Sequence, residues 1–110
     1  MSSVYALNLF DLADNADYLD YSRSSRDAVG SHGGRVIALG RLADSIETSP
    51  GVAPRTVMIL VEWPSQEAFD SFLKDPSLRD LHELRSSGTE NYLWWSFEKL
   101  SDLRPVFQAG

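Results

Sequence analysis

The 110-residue chain has no cysteine, which excludes a disulfide framework, a thiolate nucleophile and any cysteine-built zinc or iron–sulfur centre. Histidine is nearly as scarce. The two present lie far apart, with no HxH or HxxxH spacing and no acidic cluster beside them, so no metal site is expected. Ten Lys/Arg against 16 Asp/Glu give a net charge of −6 and leave no basic run. That argues against a nucleic-acid partner, because such partners are held first by neutralising phosphates. No window approaches the ~20 apolar residues of a membrane span, and the opening "MSSVYALNLF" carries no basic leader. A cytoplasmic protein with no membrane partner is the expectation. Nucleotide-binding loops are missing too, since neither GxGxxG nor GxxxxGK[ST] occurs. No serine sits in a nucleophile-elbow context, so a Ser-His-Asp triad has no support.

What is present is ordinary globular composition: 43% hydrophobic residues, 24% charged, and three Trp, four Tyr and five Phe to fill one core. "VYALNLF" (4–10) reads as a first strand. A helix follows through "ADYLDYSRSSRDAV", with Asp14 as N-cap and Asp17 as capping-box partner, and places Tyr18, Tyr21, Ser25 and Ala28/Val29 on one face. In "SHGGRVIALG" (31–40) the glycines lead from helix into strand, the reverse of a phosphate loop, and read as a helix stop.

"GRVIALGRLAD" is a second strand, "SIETSPGVAP" a loop, and "RTVMILVEW" a central third strand. Ser65 caps a helix over "QEAFDSFLKD". Pro76 interrupts it, and a second helical piece runs from Ser77 to about Ser87. "NYLWWSFEKL" is the last strand. The order βαββαβ specifies an α+β, ferredoxin-like domain with a four-stranded antiparallel sheet. It occupies residues 1–110 as one domain, core 4–98, with an apolar tail over 99–110 that is expected to dock, on this chain or on a partner.

Alternation divides each strand into two faces. The more apolar set, Tyr5, Leu7 and Leu9 with Val57, Ile59, Val61 and Trp63 and with Leu93, Trp95 and Phe97, is expected beneath the helices. Val4, Ala6, Asn8 and Phe10 with Thr56, Met58, Leu60 and Glu62 and with Tyr92, Trp94, Ser96 and Glu98 would form the other face. That mixed face is too apolar for open water, so a homodimer is expected to cover it. The small Ala6, Ala38 and Gly40 would leave an unfilled pocket there.

The Tyr-rich first helix, "HGGRV" before strand two and "VEWPSQEAF" from strand three into the next helix, in this order, resemble the dimeric α+β-barrel superfamily. Within it the similarity is to the domain of unknown function 1330 family, over about residues 4–98. Members carry a similar Tyr-Gly-Gly-Arg turn and a Glu-Phe-Pro-Ser segment. This chain departs from the pattern at His32, at Trp63, in the Trp94-Trp95 pair and in its tail. The resemblance implies a homodimer whose sheets form a barrel. It does not imply one activity, since superfamily relatives include cofactor-free monooxygenases, lactone isomerases, cyclases and haem enzymes.

On the residues themselves, Glu62 is a candidate acid or base, its alternative being an ion pair with an Arg across a dimer. His32 is a candidate general base, or else a surface histidine at a helix end. Asn8 would orient a carbonyl or oxyanion, or only satisfy the interface. Arg35 would hold a ligand carboxylate or enolate, or pair with a local acid. Trp94, Tyr18, Tyr21, Met58 and Ser96 would bind substrate. His82 and Arg85, three apart on one helical face, form either a cavity rim or solvated surface, and surface is the preferred reading. The resulting expectation is a homodimeric small-molecule enzyme without cofactor, performing isomerisation, cyclisation or oxygenation of an aromatic or polyketide-like substrate. The alternative is a non-catalytic homodimeric ligand-binding or structural module.

Overall fold

A computed structural model describes residues 2–108. β1 (Val4–Leu12) is followed by α1 (Asp17–Ser31), β2 (Arg35–Arg41) and β3 (Val57–Trp63). Then come α2 (Gln66–Lys74), a 3₁₀ turn at Pro76–Leu78, α3 (Arg79–Ser87), β4 (Thr89–Glu98) and a short α4 (Arg104–Gln108). The four strands form one antiparallel sheet in the order β2-β3-β1-β4, so the expected α+β, ferredoxin-like plan is the observed one.

The boundaries around α2 have local causes. The Ser65 side chain accepts the Ala68 N–H at 3.1 Å, as an N-cap should. Asp75 then accepts the Ser77 N–H at 2.9 Å, which lets Pro76 open the 3₁₀ turn. The start of α1 differs from expectation: Ala16 occupies the cap position and the Asp14–Asp17 capping box is absent. Tertiary contacts explain this. Asp17 instead accepts the Ser87 hydroxyl at 2.6 Å, and Asn15 donates to the Ser87 carbonyl at 3.0 Å, tying the start of α1 to the end of α3.

Register decides which residues face the helices, and here the expectation is corrected. β1 pairs with β3 as Val4↔Trp63, Ala6↔Val61 and Asn8↔Ile59, even positions against odd. β1 pairs with β4 as Ala6↔Ser96 and Asn8↔Trp94, even against even. The helix face therefore joins Val4, Ala6, Asn8 and Phe10 to Ile59, Val61 and Trp63 and to Tyr92 and Trp94. Tyr5, Leu7, Leu9, Leu93, Trp95 and Phe97 lie on the open face with Met58, Leu60 and Glu62. The division expected from hydropathy was right for β3 and inverted for β1 and β4. Apolarity could not choose between the two faces, because both are apolar. A one-residue slip in pairing exchanges every side chain between faces.

The core gathers Val4, Ala6, Ala28, Val29, Val61, Trp63, Phe69 and Phe72. Trp63, 1% exposed, stands at its centre, with ring centroids 5.3 Å from Phe69 and 5.0 Å from Phe72. The tail finds no such cover on this chain. Leu103, Val106 and Phe107 of the α4 region are 60%, 56% and 78% exposed, so the docking expected of the tail is not made within the protomer.

The glycines after α1 have a purely structural use. Gly33 adopts φ +87°, and the Gly34 N–H returns to the Val29 carbonyl at 3.0 Å. A Cβ on Gly34 would lie 2.6 Å from Val29 Cγ1 and 2.8 Å from the Trp63 ring. Gly34→Ala should consequently destabilise the fold by about 1–3 kcal/mol through overpacking, visible as a lower urea midpoint at unchanged slope.

Candidate functional site

A cavity of about 290 Å³ lies between the helix face of the sheet and α1. Its floor is built by Ala6 and Asn8 of β1, Val36 and Leu39 of β2, Ile59, Val61 and Trp63 of β3, and Tyr92 and Trp94 of β4. Its roof comes from α1, where Tyr18, Tyr21, Ser22, Ser25, Arg26 and Val29 recur at helical spacing, and Phe72 of α2 closes one end. The volume is at the small end of the roughly 300–1,000 Å³ typical of small-molecule sites.

Aromatic rings pass around the cavity in contact. Tyr21 lies 5.2 Å from Tyr18, Tyr18 5.0 Å from Phe10, and Phe10 stacks within 3° of parallel on Tyr92. Tyr92 meets Trp94 edge-on, Trp94 meets Phe69, and Phe69 meets Trp63. Burial pushes the Tyr18, Tyr21 and Tyr92 hydroxyls up from their ordinary pKa, and the Arg85 charge opposes part of that rise. All three are neutral phenols near pH 7, hydrogen-bond donors rather than bases.

Asn8 is the polar centre of the floor. Its Oδ1 accepts the Tyr92 hydroxyl, and its Nδ2 donates to the Ile59 carbonyl at 3.2 Å and the Ala6 carbonyl at 3.4 Å. The carboxamide is fully committed, so its effect on a ligand runs through the position it gives Tyr92. Two other buried donors are uncommitted: neither the Trp63 nor the Trp94 indole N–H has a hydrogen-bond partner.

Of the candidates named from sequence, Asn8, Tyr18, Tyr21 and Trp94 come together in this cavity. The others do not line it. Glu62 lies on the opposite face of the sheet, 2.5 Å from Arg35 Nη2 and 2.7 Å from Lys99 Nζ. The hydrogen bond from Lys99, then that from Arg35, holds its pKa below the ordinary carboxylate value. Glu62 is thus an ionised, paired group, and its grouping with Asn8 on one face is corrected by the register. The pairing of Arg35 with a local acid is the observed arrangement. Met58 is also on the open face, packed beside Gly40. Ser96 is on the helix face but donates to Gln66 Oε1 at 2.7 Å, outside the cavity.

His32 is separated from the cavity as well. Its Nε2 lies 2.8 Å from Asp75 Oδ2, in a groove between α1 and α2. Hydrogen bonds from the Ser77 hydroxyl and from His32 pull the Asp75 pKa down to about 2.

Tyr92, Trp63 and Arg85 are the site residues that sequence reading did not single out. Tyr92 was legible, sitting two residues before Trp94 on the same strand face as Asn8. Arg85 was not, because its role depends on how α3 packs over β4. Its guanidinium carbon lies 4.4 Å above the Trp94 ring, and its Nη1 donates to His82 Nδ1 at 2.6 Å. Since arginine only donates, His82 carries its proton on Nε2 and gives it to the Phe72 carbonyl at 3.1 Å.

The model of the family described as domain of unknown function 1330 matches residues 3–95. The chain belongs to that family. None of the curated proteins is similar to it in sequence. Among solved structures, a protein of unknown function from Rhodopseudomonas palustris superimposes with a TM-score of 0.77 at 23% identity, over 92% of this chain and 85% of that one. SnoaB, a cofactor-independent oxygenase from Streptomyces nogalater, gives 0.66 at 12% identity, over 94% and 99%. A dimeric ferredoxin-like protein of unknown function from Jannaschia gives 0.62 at 12%, over 88% and 99%. At these identities the likeness is one of fold, and the chemistry of this family member has to be read from its own residues. Among the described residues no group of three or more His, Asp or Glu is placed to hold a metal, and no helix is long and apolar enough to cross a membrane.

Two measurements follow from this geometry. Tyr92→Phe leaves the buried Asn8 Oδ1 without its donor and should cost about 1–3 kcal/mol, read from urea unfolding. The His82 pKa is lowered, by burial first, with the Arg85 charge adding to it and the Phe72 carbonyl opposing. The unfolded imidazole then binds its proton at higher pH than the folded one. His82's contribution is therefore fully present above about pH 6.5 and lost as the pH falls through the folded value. Urea midpoints should decline from pH 7 to pH 5 in the parent, and this decline should be shallower in His82→Gln.

Proposed function

We propose that this chain is a small-molecule enzyme acting without a cofactor, and that the cavity between the sheet and α1 holds an aromatic or polyketide-like substrate for isomerisation, cyclisation or oxygenation. The observation that carries this reading is the enclosed cavity itself. It is walled by aromatic rings suited to a flat substrate, and Tyr18 and Tyr21 present neutral phenol hydroxyls to it. Tyr18 and Tyr21, whose phenol protons have no acceptor among the described residues, are the groups that donate hydrogen bonds to developing negative charge, whereas the single Tyr92 proton is taken by Asn8 Oδ1. Tyr18, Tyr21 and Trp94 shape the pocket. The fold likeness to a cofactor-independent oxygenase is compatible with this reading and carries none of it.

The enzyme is proposed to work as a homodimer, paired through the open sheet face. Leu7, Leu9, Leu60 and Leu93 lie there beside Trp95 and Phe97, which are 49% and 48% exposed, a contiguous apolar patch unsuited to water. Solved structures of similar fold that are described as dimeric support the same assembly.

A second reading has one observation in its favour. Glu62 is fully paired by Arg35 and Lys99 on the open face, which suits a non-catalytic homodimeric binding or structural module. Native mass spectrometry and turnover separate the two. The purified protein is expected to fly as a dimer with a retained aromatic compound, and Trp95→Asp to shift it to monomer. With an anthrone as probe, Tyr18→Phe combined with Tyr21→Phe should lower turnover by about 10²-fold, while Glu62→Gln and His32→Ala leave it within about twofold. A dimer that retains nothing and turns over no anthrone would favour the module, and a parent monomer would remove the proposed interface.

A further inference from the structure

The cavity's polar groups are strongly one-sided. None of the chain's 16 acidic side chains lines it, although the protein carries net charge −6. What lines it instead are the Tyr18 and Tyr21 phenols, the Ser25 hydroxyl and Arg26 at the mouth as donors, while Ser22 spends its proton on the Leu19 carbonyl at 2.8 Å. The Trp63 and Trp94 indole N–H groups are buried without any acceptor. A buried, unpaired donor costs a folded protein about 1–3 kcal/mol, and such groups are uncommon unless a ligand or water completes them.

The cations nearby are equally unmatched. Arg23, Arg35 and Arg104 each lie within ion-pair distance of a carboxylate. Arg26 and Arg85 do not among the described residues; nor do Arg41, Arg55 and Arg79, but these line neither the cavity nor the recess beside it. Arg85 is half-buried and held by the Trp94 face and His82, two partners that fix its place without neutralising it. Trp94 and Tyr92 are shared walls: they line the main cavity and also an outward recess of about 260 Å³ formed with Arg85, Ser86 and Thr89. Arg85 lines the recess and borders the cavity from behind Trp94 and the Tyr21 hydroxyl, with which it is hydrogen-bonded.

We infer that the ligand of this cavity is an anionic aromatic compound, bearing a carboxylate, phenolate or enolate oxygen, whose acceptors complete the Trp63 and Trp94 indole N–H groups and whose charge is met by Arg85 and Arg26. This rests on the proposed use of the cavity and adds the chemical class of what enters it. A neutral hydrocarbon of the same shape would leave both indole donors unpaired and both arginines unmatched. A cationic ligand would meet Arg85 with no carboxylate to offset it.

Isothermal titration at pH 7.5 with 1-naphthoate and its uncharged isostere 1-naphthamide tests this. Naphthoate is expected to bind the parent at least tenfold more tightly than naphthamide. Arg85→Gln should remove most of that preference by weakening naphthoate while leaving naphthamide within about twofold, and Arg85→Lys should keep part of it. Melting curves show whether each variant is folded, and Arg26→Gln, at an exposed position, gives a second reading of the same preference. Equal binding of the two probes by the parent would overturn the anionic assignment and leave the cavity as a binding site. A preference that survives both Arg85→Gln and Arg26→Gln would overturn the role of the arginines. Failure of both probes to bind, together with a native mass spectrum free of retained compound, would overturn the inference and the proposed function with it.

Discussion

The pairing of Val4 with Trp63 governs the rest of the molecule. That register places the even positions of β1 and β4 and the odd positions of β3 against the helices. Everything polar in the cavity follows from it. Asn8 faces inward beside Trp94, Tyr92 comes within reach of Asn8, and Glu62 is sent to the other side of the sheet. A shift of β3 by one residue against β1 would bury Glu62 under the helices and expose Trp63 while Asn8 stayed inward. Burying Glu62 among apolar side chains, away from Arg35 and Lys99, would be strongly unfavourable. Leaving Trp63 outside would forfeit the largest side chain of the core. Electrostatics and packing select the same register.

Given that register, the cavity arises from a contrast of sizes. Bulky rings stand at its two ends, Trp63, Phe69 and Phe72 at one and Phe10, Tyr18 and Tyr92 at the other, and they prop the helices off the sheet. Ala6, 1% exposed, lies between them on the central strand and is too small to fill the gap. A leucine there would fill the space with hydrocarbon and gain packing energy. The tight Gly34–Trp63 approach anchors one prop, because it seats the indole against the end of α1. The cavity is thus bounded by well-packed clusters on both sides, a rigid setting in which one hydroxyl can be held in place by one carboxamide.

The element order was legible because each boundary had a local signal: Ser65 as a cap, Pro76 as a break, the glycines after α1 as a stop. Membership of the antiparallel α+β class followed from that order alone. The face assignment was not legible, since both faces of β1 and β4 are apolar and only non-local pairing distinguishes them. For the same reason Asn8, Tyr18, Tyr21 and Trp94 were recognisable as candidates by residue type, whereas their separation from Glu62, His32 and Met58 was hidden. The Asp14–Asp17 cap failed for a related reason. Ser87, 70 residues away, offers Asp17 a better partner than its own helix does. Arg85 and His82 read as surface because nothing in the spacing of α3 reveals the Trp94 face packed against it.

The two faces of the sheet solve opposite electrostatic problems. On the open face the Glu62 carboxylate is bracketed by two cations, Arg35 and Lys99, so the charge beside the Leu, Trp and Phe patch forms a compact, internally satisfied group. In the cavity on the helix face no acid lines the wall, the phenols are kept neutral by burial, and two indole donors have no acceptor. Such a site offers no strong base with which to remove a proton. It can, however, stabilise negative charge that the ligand already carries or readily develops, since donors fixed in an apolar enclosure need no reorganisation to meet it. The proposed chemistry would therefore depend on the acidity of the substrate more than on a proton acceptor supplied by the protein. Under that proposal, the reactions suited to the cavity are those in which delocalised negative charge on an aromatic framework is the reactive species.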